Sequence, residues 1–122
     1  MNETTFTRKF REHWTKLYPE DYVHKVSERF ASGIPDLLIV HHGMTVMLEM
    51  KVGYNKPTEL QLLNIDRINK AGGYGAVVTY KKEYVLADDE DTVRFEDIDN
   101  LIIEIGRRVC CQLYMRHWEL EE

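Results

Sequence analysis

Three side chains that could share one chemical task, Asp36, Glu49 and Lys51, lie in a stretch made of two apolar runs. The runs are rich in Ile, Val, Leu and Met, and they are separated by His42-Gly43. That pair suits a tight reversal, because Gly accepts a positive φ and His tolerates one better than a β-branched residue does. Residues 34–51 are therefore predicted to form a β-hairpin.

The register of this hairpin decides what the three side chains can do. If the His42-Gly43 pair is the whole loop, Asp36 faces Glu49, and facing side chains of an antiparallel pair lie on one face with Cβ atoms roughly 4.5–5.5 Å apart. Lys51 projects from that face too. Opposed like charges destabilise a sheet unless they are neutralised, so this register predicts a cation site. A four-residue loop keeps the register, and an odd-length loop breaks it. The alternative is a buried strand pair in which Lys51 simply pairs with one of the acids.

The motif residues resemble those of a known family. Gly33-Ile34-Pro35-Asp36 followed by Glu49-Met50-Lys51 resembles the bipartite motif of the PD-(D/E)xK nuclease superfamily, whose members cut nucleic acid phosphodiesters with a divalent metal. The later runs Lys56-Pro57-Thr58-Glu59-Leu60-Gln61 and Ala71-Gly72-Gly73 narrow the resemblance to the VRR-NUC branch. Small stand-alone members of that branch are typical of phages, and relatives include Holliday-junction resolvases. The resemblance covers residues 3 to 87 and leaves the C-terminal part unmatched.

The resemblance implies an endonuclease that hydrolyses DNA and leaves 5′-phosphate and 3′-hydroxyl ends. Asp36, Glu49 and the Met50 carbonyl would bind Mg²⁺, a cation that takes oxygen ligands, and Mn²⁺ could substitute. Lys51 would position the attacking water and help to deprotonate it. The sequence does not separate a junction resolvase from a nonspecific or nicking nuclease. A non-catalytic nucleic-acid-binding or assembly protein that keeps the fold is the alternative from another functional class.

A helix over residues 3–17 is predicted from apolar residues at three- and four-residue spacing, namely Phe6, Phe10, His13, Trp14 and Leu17. Glu3 lies three residues before Phe6 and joins this stripe, whereas Glu12 does not. Superfamily members commonly carry a helical Glu upstream of the Pro-Asp that completes the metal environment. The resemblance therefore makes Glu3 a candidate metal ligand. Alternatively, Glu3 only complements the helix dipole at the N-terminus.

Gln61 has two possible roles at the start of a second helix, which is predicted from residue 57 to about residue 71. Thr58-x-x-Gln61 fits a capping box, in which the Gln61 side chain reaches back to the Thr58 amide. Steps of 100° per residue also place Gln61 between Ile65 and Ile68 on the inward arc. An inward amide beside the carboxylates could order a water or contact phosphate, as the resemblance suggests. Gln61 is therefore a fourth candidate catalytic residue.

Positive charge is concentrated in the part of the chain that holds the motif. The net charge of the whole chain is −5, with +3 in residues 1–82 and −8 in residues 83–122. Phosphate contacts need local positive charge rather than a basic protein overall. Lys25, Arg29 and Lys56 are the candidate nucleic-acid-binding residues, although a lone basic residue is more often solvated surface.

The length and composition bound the class of protein. With 122 residues, 43% hydrophobic and 30% charged, the chain fits a single globular domain of residues 1–122. No apolar stretch is long enough to span a bilayer and no signal peptide begins the chain, so a cytoplasmic location is expected, in the host if the protein is phage-encoded. The adjacent cysteines Cys110-Cys111 lack zinc-site spacing and are predicted to be reduced packing residues.

The remaining elements predict an α/β domain with a restriction-endonuclease-like mixed β-sheet. A strand at residues 22–26 before the hairpin and one at residues 74–80 after the second helix give an αβββαβ core, and a further strand at residues 83–87 ends the region of residues 3–87. The acidic run 88–91 is expected to be a solvated turn. In the extension of residues 88–122, a C-terminal helix is indicated by apolar residues at helical spacing, namely Ile98, Ile102, Ile105, Val109 and Leu113. This helix either covers the sheet or pairs with another chain. A homodimer is predicted, with completion of the monomer core as the alternative.

Overall fold

The computed structural model describes residues 1–27 and 33–121, which form one sheet flanked by helices. The elements in chain order are α1 (Glu3–Leu17), β1 (Tyr22–Lys25), β2 (Leu37–His41), β3 (Met44–Val52), α2 (Glu59–Lys70), β4 (Tyr74–Lys81), β5 (Glu83–Ala87), β6 (Thr92–Phe95) and α3 (Ile98–Glu121). None of the helices in these ranges is long and apolar enough to cross a membrane.

The sheet is mixed, and its strands lie in sequence order from β1 to β6. Neighbouring strands are antiparallel except β3 and β4, which run parallel. Parallel neighbours need a crossover connection, and α2 provides it. The predicted α/β class and the order of the αβββαβ core followed by a helix are confirmed.

The hairpin of β2 and β3 reverses at two residues with positive φ, His42 at 49° and Gly43 at 80°. Positive φ at both loop positions characterises the two-residue turn whose twist matches that of the flanking strands. The paired positions run from His41 and Met44 to Leu37 and Leu48. The two-residue loop is confirmed, and its register, continued by one residue, brings Asp36 opposite Glu49.

The two faces of the sheet differ in composition. Alternate residues of β3 point to opposite faces. Met44, Val46, Leu48 and Met50 face the large core, which α1 and α3 cover with fully buried side chains that include Phe6, Phe10, Trp14, Leu101, Ile102 and Ile105. The other face is covered by α2, whose buried Ile65 packs closely on Gly75 of β4. The intervening β3 residues, among them Glu49 and Lys51, point toward this second face.

The apolar stripe of α3 is used mainly within the chain itself. Ile98, Ile102, Ile105 and Val109 are all buried in the main core, and Leu113 is partly buried against it. The stripe therefore completes the core of the monomer, which was the alternative to its use as a dimer interface. Beyond the stripe, Tyr114, Met115 and Trp118 are 60%, 58% and 51% exposed, so the apolar surface left for another chain lies at the C-terminal end of α3.

The acidic run after β5 is a turn in which residues 89–91 are exposed, as expected, but the expectation fails for Asp88. The Asp88 side chain is only 5% exposed; it accepts hydrogen bonds from the Tyr74 hydroxyl at 2.6 Å and from Arg108 Nη1 at 2.6 Å. Burial by itself would raise the pKa of Asp88, but these hydrogen bonds lower it below its ordinary value. Arg108 also contacts Asp91 and Glu104, so the turn is fastened to α3.

The expectation that the two cysteines are packing residues was wrong. Cys110 and Cys111 are free thiols with exposed side chains. They follow Val109, the last fully buried residue of the α3 stripe, and successive 100° steps turn both away from the core.

Candidate active site

Asp36 is held in a fixed position just before β2. Its Oδ2 accepts a hydrogen bond from the Met50 backbone amide at 2.8 Å, and its carbonyl accepts one from the Val26 amide at 2.8 Å. The first bond joins the side chain to β3, and the second joins the backbone to the residue after β1. The carboxylate is therefore oriented by the Met50 amide of β3, and the Asp36 backbone is held by the residue after β1.

Glu49 is the most unusual polar residue of this face, since it is only 2% exposed. Its Oε1 accepts a hydrogen bond from Gln61 Nε2 at 3.0 Å and lies 3.5 Å from Lys51 Nζ. Its Oε2 is buried without a hydrogen-bond partner, and within the described ranges no other buried side-chain oxygen or nitrogen shares that condition. Such an atom is costly, because it has lost its water and gained nothing in return.

The electrostatics of the pair follow from this geometry. Burial, as the largest cause, and the nearby Asp36 carboxylate together raise the pKa of Glu49 to about 8, although Lys51 acts in the opposite direction. Two acids that approach this closely share a proton near neutral pH unless a cation takes its place. Lys51 is only 12% exposed and brings one positive charge to the pair.

These groups fit a small divalent cation. Mg²⁺ prefers oxygen ligands, and two carboxylates meet here, one with an unpartnered buried oxygen. The prediction from the hairpin register, that Asp36, Glu49 and Lys51 come together on one face, is confirmed. Met50 contributes its amide to Asp36 while its side chain lies in the main core. Its carbonyl as a metal ligand stays a prediction.

The capping box and the inward direction of the Gln61 side chain are both present in the structure, whereas its role as a catalytic residue stays a prediction. Its side-chain Oε1 accepts a hydrogen bond from the Thr58 backbone amide at 2.9 Å, and the Gln61 backbone amide donates to Thr58 Oγ1 at 3.2 Å. Together these two bonds form a complete capping box. Because Oε1 of the Gln61 side chain closes the capping box, Nε2 of the same side chain can donate to Glu49. The start of α2 thus positions the amide that orients one of the carboxylates.

Glu3 lies at the start of α1, and the hydrogen bond described for its side chain is from Asn55 Nδ2 at 3.0 Å. Asn55 follows β3 by three residues, so Glu3 sits near the end of the strand that carries Glu49 and Lys51. Among the residues that the structure describes, no hydrogen bond joins Glu3 to the carboxylate pair. Its role as a metal ligand stays a prediction.

The three basic residues predicted to bind nucleic acid fall into two groups. Lys25 and Lys56 are exposed, and Lys25 pairs with Leu37, the residue after Asp36. Arg29 lies outside the described residues.

The hydrogen bond from the Met50 backbone amide to Asp36 was not predicted from the sequence, since a backbone hydrogen bond leaves no signature in residue type.

No protein-family model matches the sequence, and no curated protein matches it. Two solved structures are similar to the chain. A VRR_NUC domain is 24% identical with a TM-score of 0.51, and the match covers 78% of this chain and 91% of that one. Archaeoglobus fulgidus Hjc, a Holliday junction resolvase from an archaeal hyperthermophile, is 13% identical with a TM-score of 0.53, and the match covers 82% of this chain and 98% of that one. The chain therefore shares the fold of these two proteins, in agreement with the fold that the resemblance to the VRR-NUC branch implies.

Proposed function

We propose that this chain is a Mg²⁺-dependent endonuclease that hydrolyses DNA phosphodiester bonds. The observation that carries the proposal is the pairing of Asp36 with the buried Glu49, whose Oε2 has no partner, beside Lys51. A buried acid pair of this kind destabilises the fold unless a cation serves it. The fold adds support, because one similar structure is a VRR_NUC domain and another is a Holliday junction resolvase.

The metal would be held by Asp36, Glu49 and the Met50 carbonyl. When bound, Mg²⁺ supplies positive charge that stabilises the phosphate in the transition state and lowers the pKa of a water ligand. The protein prepares this site: the Met50 amide fixes Asp36, and Gln61 fixes Glu49. Burial of Glu49 excludes bulk water from its carboxylate and strengthens the electrostatic interactions that it makes.

Lys51 would orient the attacking water and assist the removal of its proton. Its ammonium lies 3.5 Å from Glu49 Oε1, so it is already directed at the carboxylates between which the reacting groups would meet. Water attacks phosphorus, the bond from phosphorus to the 3′ oxygen breaks, and that oxygen takes up a proton. The products are a 5′-phosphate and a 3′-hydroxyl.

The DNA backbone would be held by Lys25, Arg29 and Lys56. Phosphate contacts of this type fix the position of a duplex without reading its sequence. Binding should therefore weaken as salt rises, with little dependence on base sequence. The proposal extends to branched DNA as a substrate, since one structure with this fold is named as a Holliday junction resolvase.

The deciding experiment is plasmid nicking by purified protein with Mg²⁺ or Mn²⁺, with EDTA as one control and Lys51→Ala as the other. Metal-dependent nicking that Lys51→Ala lacks is the expected result. DNA binding with no nicking under any metal would favour a non-catalytic nucleic-acid-binding protein. A panel of four-way junction, flap, duplex and single-stranded substrates then identifies the preferred structure.

Metal binding can be tested apart from cleavage. A ligand that binds only the folded state raises its melting temperature. Added Mg²⁺ should raise the melting temperature of the wild type and affect Asp36→Asn much less. Equal shifts in both proteins would place the metal elsewhere.

The assembly we propose is a homodimer that uses the exposed end of α3. Symmetric cleavage of two strands needs two sites related by a twofold axis, and one chain offers one such site. Tyr114 and Trp118 contact each other edge to face with ring centroids 6.2 Å apart and are largely exposed. Aromatic residues are enriched at interfaces. Sedimentation at micromolar concentration tests this; a monomer even with a four-way junction present would leave a nicking enzyme.

A further inference from the structure

A second group of metal-ligating side chains lies at the opposite end of the β2–β3 hairpin from the carboxylate pair. His41 ends β2, His42 begins the turn, and Cys110 belongs to α3. One ligand atom from each lies within 4.8 Å of the other two. The five residues of β2 separate the group from Asp36 by roughly 16 Å, at about 3.3 Å per residue. We propose that these three side chains form a binding site for Zn²⁺.

His41 is prepared for such a role by its neighbours. The ring is 2% exposed, and its Nδ1 lies 2.5 Å from Asp21 Oδ2, the same oxygen that accepts a hydrogen bond from Trp14 Nε1 at 2.8 Å. A carboxylate on one ring nitrogen fixes the orientation of the imidazole and leaves the other nitrogen for a metal. Asp21 thus directs Nε2 of His41 away from itself.

The direction in which Nε2 points is shown by Gly106 of α3. A Cβ added at Gly106 would lie 3.5 Å from His41 Nε2 and 2.5 Å from the Tyr18 hydroxyl oxygen. Glycine inside a helix costs about 1 kcal/mol relative to alanine. Here it leaves room for the Tyr18 hydroxyl, and His41 Nε2 lies in ordinary van der Waals contact beside the same position of the helix. Cys110 follows one turn later on the same helix face, so its thiol lies beside the imidazole.

The ligand types select the metal. Two imidazoles and a thiolate suit Zn²⁺, whereas Mg²⁺ prefers oxygen. With zinc bonds of about 2.0 Å to nitrogen and about 2.3 Å to sulfur, tetrahedral ligand atoms lie roughly 3.3–3.7 Å apart. His42 and Cys110 are exposed, so their side chains can rotate to close the present gap. On binding, the Cys110 thiol releases its proton to solvent, and water fills the fourth position.

The test uses Co²⁺ as a spectroscopic substitute for Zn²⁺ on the full chain, kept reduced with a non-chelating phosphine. A cobalt–thiolate bond gives a charge-transfer absorption that carboxylate ligation at the other site does not give. We expect this band in the wild type, in Asp36→Asn and in the matched control Cys111→Ser. We expect its loss in Cys110→Ser and in His42→Asn, the latter a residue that keeps the positive φ of the turn.

A second measurement is independent of colour. Zn²⁺ should displace the cobalt band, and in an Asp36→Asn background, which removes the carboxylate site, it should raise the melting temperature of the chain with both cysteines and of Cys111→Ser, but not of Cys110→Ser. A wild type that shows no band overturns the proposal. A band that survives in Cys110→Ser also overturns it, whether or not Cys111→Ser keeps the band.

Discussion

Glu49 should make the stability of the metal-free protein depend on pH in a direction opposite to that of most carboxylates. Burial first, and the neighbouring Asp36 carboxylate second, raise its pKa to about 8 from an ordinary value of 4.5. At neutral pH the folded protein therefore holds a proton that the unfolded chain has released. The resulting contribution to stability is fully present below about pH 4.5. It is lost as the pH rises toward about 8.

The size of the effect follows from the two pKa values. Between them, each pH unit removes about 1.4 kcal/mol from the free energy of unfolding. Across the whole window the loss is on the order of 4–5 kcal/mol, which is large beside the roughly 5–15 kcal/mol that stabilises a typical domain. Saturating Mg²⁺ should offset it, because the cation takes the place of the proton between Asp36 and Glu49.

The assay is urea unfolding in EDTA from about pH 5 to about pH 8, for the wild type and Glu49→Gln. Glutamine keeps the volume and one acceptor oxygen of Glu49 but does not titrate. The wild type should lose stability relative to the variant as the pH rises, whereas Glu59→Gln, at an exposed site, should track the wild type. Parallel curves for wild type and Glu49→Gln across this range would refute the assignment of a buried, protonated Glu49.

Three further predictions concern single side chains. Lys51→Ala should abolish metal-dependent nicking while circular dichroism and DNA binding stay near those of the wild type, since the loss falls on the chemical step. Glu3→Gln should lower activity or metal affinity and Glu12→Gln should be nearly silent in the same assays; the reverse ranking would show that the wrong face of α1 was chosen. Arg108→Met should lower the free energy of unfolding by roughly 3–5 kcal/mol, because it removes the cation that pairs with the buried Asp88 side chain. Arg107→Met, at an exposed pair, should change it much less in the same urea titration.

The part of the site built on the hairpin could be predicted because it depends on local rules. A two-residue loop at His42-Gly43 fixes the register, and the register fixes which carboxylates meet. The capping box and the inward direction of Gln61 were each predicted from spacing. Their coexistence could not be predicted, because it depends on which atom of the side-chain amide faces which partner.

Features that depend on distant partners could not be predicted from the sequence. Asp88 is buried by Arg108, twenty residues later in the chain, and nothing local to the acidic run indicates this. Cys110 meets His41 only because α3 crosses the hairpin turn. The exposure of the two cysteines, by contrast, could have been predicted, because residues 110 and 111 lie 100° and 200° around the helix from Val109 and so fall outside the apolar stripe.

The double use of Gln61 restricts which residues can replace it. Glutamate would still close the capping box with Thr58. It would also place a third acid against Glu49 and could not donate the hydrogen bond that Glu49 accepts. Asparagine is one methylene shorter and cannot span both partners. Natural variation at this position should therefore be narrower than at other helix starts. Where another residue replaces Gln61, Glu49 should be replaced as well.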